Sequence, residues 1–129
     1  MADGVVTLDP HDSTPIYAQL ERGVRAAIAS GRLKAGEQLP TVRQLAVDLR
    51  VNANTVARVY MELERSGVIE TKRGVGSFVA ALPAQAHPPR EHDRRVRAFI
   101  TRVLADAAVQ GLTLDDVMAG LRAHRKGGT

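Results

Sequence analysis

Asn52, Asn54, Thr55 and Arg58 fall within one short stretch of the chain. Arginine carries a fork of donors that matches two acceptors on guanine. Asparagine carries one donor and one acceptor that match adenine, and threonine adds a hydroxyl. Grouped on one exposed face, these residue types have the chemistry to read base edges. A second group follows at Lys72, Arg73, Gly74 and Gly76. There two cations precede two glycines, a pattern suited to contacting phosphates or entering a groove. Each residue also has a plainer use. Asn52 is a good helix cap, Arg58 an ordinary solvated side chain, and Lys and Gly are common in turns. The joint placement, more than any single residue, points to nucleic acid.

The elements that must position these groups follow from periodicity. Thr14 as a capping hydroxyl and Pro15 at the first helical position form a start signal for a first helix, with Ile16, Leu20, Val24, Ala27 and Ile28 on its apolar face, Tyr17 beside them, and Gly31 at its end. Residues 33–40 read as a loop with a short extended piece near Gln38 and Leu39. Thr41 opens a second helix, and Gln44 three residues on completes a capping box. Val42, Leu45, Ala46 and Leu49 are its apolar face. A tight turn at Arg50 and Val51 leads to Asn52 as the cap of a third helix. There Val56, Val59, Tyr60 and Leu63 recur at helical spacing, and Gly67 stops the run. Two short helices joined by a few residues form a helix-turn-helix pattern. Its second member turns Ala53, Asn54, Ala57, Arg58 and Met61 away from the core. Residues 68–71 and 77–80 read as two strands around a turn at 72–76.

Composition sets the limits. The chain has 129 residues, 44% of them apolar, but only 3% aromatic and no Trp, so its core must be built from aliphatic side chains. No cysteine is present, which rules out disulfides, Cys-ligated zinc and thiol nucleophiles and suits a reducing cytoplasm. The first residues lack the basic and apolar runs of a signal peptide, and no apolar stretch is long enough to span a bilayer. A cytoplasmic protein is expected. The net charge of +4 permits nucleic-acid binding without proving it. Up to residue 80 there are ten Lys/Arg against nine Asp/Glu, and beyond it eight against five, so charge in the first part matters by location.

Other chemistries find little support. His11, His87, His92 and His124 are scattered and share no metal-ligand spacing. No nucleophile motif or phosphate-binding loop occurs. An enzyme is not expected, nor are a catalytic residue, a metal or a cofactor.

Residues 15–80 resemble the DNA-binding head of the GntR family. The resemblance is carried in order by PIYAQL, AGEQLPTVRQLA, VNANTVARVYMELERSGVIE and TKRGVGSFV. It implies a winged helix-turn-helix over residues 14–80; residues 1–13 show no periodicity and read as a flexible N-terminal arm or a short strand. It also implies DNA contacts at Arg43 early in the second helix, with Thr41 at the same helix start. Further contacts are implied at Asn52, Asn54 and Thr55, and at Arg73 and Gly74 in the wing. Many relatives carry Arg where this chain has Ala53 and Ala57. Arg58, next to the second of these, is the candidate substitute.

Residues 81–89 read as a Pro/Ala linker and 90–129 as a two-helix tail, which resembles the short tails of the YtrA-like subfamily. In the first tail helix Val96, Phe99, Ile100, Val103, Leu104, Ala107 and Ala108 form a long apolar stripe, ended by Gly111. In the second, Thr113 and Asp116 form a capping box, and Leu114, Val117, Met118 and Leu121 are apolar. So long a stripe needs cover. A second copy would supply it through Val96, Phe99, Ile100, Val103, Leu104, Ala107, Val117 and Leu121, and a two-fold dimer suits a palindromic operator. The expected fold is therefore mainly α with a small β-hairpin, a winged head plus a dimerisation tail. The expected partners are double-stranded DNA, a second copy and no membrane. The resemblance implies repression, with the regulator's own operon and a membrane transporter among common targets. The alternative is a sensor that binds a small effector between the tail helices of the dimer.

Overall fold

The computed structural model describes residues 6–81 and 88–125. The chain divides into two compact units, one built around three helices and a hairpin, the other around two further helices. In the first unit α1 (Ile16–Ala29), α2 (Val42–Leu49) and α3 (Ala53–Arg65) are followed by β1 (Ile69–Lys72) and β2 (Gly76–Val79). The second unit holds α4 (Pro89–Val109) and α5 (Leu114–Arg125) as far as Ala123. The fold is mainly helical with a two-stranded antiparallel hairpin, as expected. Most of the linker reading falls at residues 82–87, which lie outside the described residues.

Helix α3 packs on both α1 and α2. Its apolar residues Val56, Val59, Tyr60 and Leu63 are buried against Leu20, Val24 and Ala27 of α1 and Leu45 and Ala46 of α2. Ile69 and Val79 face one another across the hairpin and close the same core. Leu63 is fully buried, so Leu63→Ala is expected to cost about 2–5 kcal/mol.

The helix ends account for much of the local structure. The Thr41 hydroxyl accepts from the Gln44 amide, and the Gln44 side chain accepts from the Thr41 amide, which completes the capping box at α2. The Asn52 carboxamide caps α3 by accepting from Asn54 N at 2.7 Å. At the far end of α3, Gly67 has φ 78°, and the amide of Val68 donates to Leu63 O. That left-handed residue satisfies carbonyls the helix would leave open. Arg50 adopts the same left-handed region at the end of α2, with φ 57°. It is the one non-glycine residue to do so among the described residues, and it makes the sharp turn into α3.

The start of α1 differs from expectation. Pro15 is the N-cap and Thr14 lies outside the helix. The reason is the Gln19 side chain, which donates to Thr14 O and Asp9 O and accepts from Asp9 N. That clasp holds the approach to α1 and leaves Thr14 no capping role. Upstream, Val6 is buried on α1, where a Cβ placed on Gly23 would stand 2.6 Å from Val6 Cγ1.

In the second unit Thr113 and Asp116 bond reciprocally at the start of α5, and Gly111 (φ 77°) ends the turn after α4. Among the described residues no helix is long and apolar enough to cross a membrane.

Candidate nucleic-acid interface

Burying one stripe of α3 turns the rest of the helix outward. Ala53, Asn54 and Arg58 are exposed, Thr55 and Ala57 are half-buried, and Met61 is 67% exposed. The first turn of α3 thus offers short side chains beside two hydrogen-bonding ones, so a groove floor could come close to the backbone. Asn52 is engaged as a cap through its side-chain oxygen, and Thr41 likewise at α2. Both fix helix starts, whose amide dipoles favour phosphate. Arg43, one residue into α2, is exposed.

The two arginines of α3 are held differently. Arg65 forks onto Glu62 through Nε and a terminal nitrogen, at 2.9 and 2.5 Å. That contact holds the Glu62 carboxyl below its ordinary range. Arg58 has no carboxylate partner among the described residues, and its guanidinium sits 5.8 Å from the Tyr17 ring centre. Tyr17, on the first turn of α1, is half exposed. Arg58 and Tyr17 open onto a groove of about 440 Å³ between α1 and α3, floored by Val59 and Met61. This anchor connects helices distant in sequence. Tyr17's place beside the α1 stripe was its only signal in the sequence.

The hairpin positions the second cluster. Lys72 pairs with Gly76, leaving residues 73–75 as the tip. Val75 N donates to Lys72 O across that turn. Gly74 has φ 76°, a value at which a side chain is strained. Arg73 is exposed at the tip, and Lys72 Nζ lies 4.8 Å from the Phe78 ring centre. The two cations therefore differ. Arg73 reaches out, while Lys72 lies along the flank of the wing. A third extended segment, residues 37–39, runs beside β2. Gln38 bridges to Phe78, Leu39 N donates to Ser77 O, and Val79 N donates to Glu37 O.

In the tail, Val96, Phe99, Ile100 and Leu121 are exposed, with Phe99 at 56%. Val103, Leu104 and Val117 are half-buried, and Ala107 is buried. The apolar stripe is thus only partly covered.

Residues 16–79 match the family described as "Bacterial regulatory proteins, gntR family". The HTH-type transcriptional repressor YtrA of Bacillus subtilis is 43% identical over 76 residues, which is 59% of this chain and 58% of YtrA. An uncharacterized HTH-type transcriptional regulator of the same organism, YhcF, is 32% identical over 90% of this chain and 94% of its own length. Among solved structures, the AraR DNA-binding domain in complex with operator ORX1 is 25% identical, with a TM-score of 0.52, over 58% of this chain and 93% of that one. The family match begins with α1 and ends with β2, so it takes in the three helices and the hairpin that gather these residues. With that family match, and with an HTH-type regulator 32% identical over nearly its entire length, the chain belongs to the GntR family of bacterial transcription regulators.

Proposed function

We propose that this regulator is a repressor that acts in the cytoplasm as a homodimer, each head on one half of a palindromic operator. Its targets would be its own operon and, within it, a transporter. The observation that carries the DNA reading is the sorting of α3. Every core-facing position is buried, while Asn54 and Arg58 face outward beside a basic, glycine-containing wing. The AraR domain, whose fold is similar, is in complex with an operator, and YtrA is a repressor by name.

In this reading Arg58 takes a guanine edge and Asn54 an adenine edge, with Thr55 beside them. Arg43, Lys72 and Arg73 take phosphates. Thr41 and Asn52 act through the helix starts they cap, and Gly74 and Gly76 let the wing backbone approach the duplex. The dimer forms through Val96, Phe99, Ile100, Val103, Leu104, Val117 and Leu121, with Ala107 beneath them. Exposed apolar groups of this size on one helical stripe favour burial against a second copy.

Selecting bound duplexes from random DNA tests the proposal. The expected result is an enriched sequence with two-fold symmetry, its half-sites about one helical turn apart, and an affinity that falls steeply as salt rises. An unenriched pool, or binding indifferent to salt, would count against it.

A further inference from the structure

Residues 37–41 touch both parts of the interface. On one side, Gln38 Nε2 donates to Val75 O at the wing tip, at 3.2 Å. Gly76 makes that approach feasible, since a Cβ there would stand 2.5 Å from Gln38 Nε2. Main-chain bonds from Leu39 to Ser77 and from Gly36 to Val79, both 2.8 Å, continue the seam along β2. On the other side, the Tyr60 hydroxyl of α3 donates to Pro40 O at 2.6 Å. Thr41 then caps α2. One strap therefore runs from the wing turn to the helix that carries Asn54 and Arg58.

We infer that Gln38 is a positioning residue for the wing, fixing the tip that bears Arg73 relative to α3 so that both meet one duplex together. A two-stranded hairpin alone is marginally stable, and its tip would otherwise sample many orientations. Pairing with residues 37–39 steadies β2, and the Gln38 side chain extends the restraint past the end of β2 to the turn itself. Gln38 is exposed, so its side chain contributes this one bond without being needed to fill the core. The inference rests on the DNA-binding reading above for its consequence, but the restraint on the tip exists without DNA.

The test uses Gln38→Met, which keeps side-chain length and removes the donor, and Gln38→Ala as a second variant. In the free full chain, amide hydrogen exchange at Val75, whose amide donates to Lys72 O across the turn, is expected to accelerate several-fold in both variants, with the melting temperature nearly unchanged. Binding is then measured by fluorescence anisotropy on the duplex recovered by the selection above. Gln38→Met is expected to weaken binding roughly fivefold, about the worth of one hydrogen bond. Combined with Arg73→Ala it should add nothing to the loss caused by Arg73→Ala, whereas combined with Arg43→Ala the two losses should multiply. Unchanged exchange at the tip would overturn the inference, as would losses that multiply with Arg73→Ala. Failure of the unaltered chain to bind any duplex would instead defeat the DNA reading, leaving the exchange result to decide whether Gln38 holds the tip.

Discussion

The guanidinium of Arg58 lies 5.8 Å from the centre of the Tyr17 ring, so the arginine that faces out of α3 without a carboxylate partner among the described residues is steadied by α1. A contact of this kind between exposed groups is worth about 0.5–1 kcal/mol. It limits where the guanidinium can point. Tyr17→Ala is expected to broaden base preference at one position of the operator while leaving the fold intact. Arg58→Ala should abolish that preference, and Tyr17→Ala should have no further effect in its background. Competition against a panel of single-base operator variants measures this. An equal loss across the panel for Arg58→Ala would identify a phosphate contact instead.

Arg43 and Arg73 stand on different elements and are both exposed. Each alanine substitution should weaken binding without lowering the melting temperature, because neither side chain is part of the core. If each neutralises one phosphate, the slope of log affinity against log salt should become shallower by about 0.9 per substitution. Anisotropy titrations at several salt concentrations give that slope directly. A slope unchanged in Arg73→Ala would remove the wing from the phosphate contacts.

Phe99 is the largest apolar side chain of the α4 stripe, and it is 56% exposed. Phe99→Asp is expected to shift the chain from dimer to monomer by light scattering, with its helical circular dichroism retained. Operator affinity should fall with it, since each head would bind alone. A dimer that persists in Phe99→Asp places the interface elsewhere.

Tyr60 gives a pH prediction. Burial pushes its phenol from 10 up to about 12. The folded state therefore holds the proton more tightly than the unfolded chain does. Its contribution is complete below about pH 10 and is lost as pH rises toward 12, amounting to about 3 kcal/mol in total. Tyr60→Phe loses the bond to Pro40 O, about 1 kcal/mol at neutral pH, but has no phenol to ionise. Urea midpoints measured from about pH 9 to 11.5 should converge for the two proteins and then cross, the unaltered protein becoming the less stable of the two at the alkaline end. Parallel declines would show that another group controls alkaline unfolding.

Features governed by neighbours in sequence were readable from it. Thr41 with Gln44, Asn52 before Asn54, Gly67 after α3, and Thr113 with Asp116 are local capping arrangements, and all four form. The buried face of α3 was likewise written in its spacing. Features that depend on distant partners were not. Thr14 had a cap's composition, but Gln19 reaches back and clasps the preceding residues instead. The short extended piece near Gln38 was visible, yet its pairing with β2 and its bond to Val75 needed the hairpin to fold beside it. Arg58 stood out as a hydrogen-bonding residue on the outer face of α3, but its rest against Tyr17 depends on how α1 and α3 cross.

Val6 seated on Gly23 has a practical consequence for anyone handling this protein. The stretch from Val6 to the start of α1 is part of the folded head, fastened at Val6 and again through Gln19 to Asp9. Trimming the chain back to the start of α1, the natural boundary by family match, would strip an apolar cover from that helix. A shortened head prepared this way should express less well than one that retains residue 6. An affinity handle is better fused at the opposite terminus.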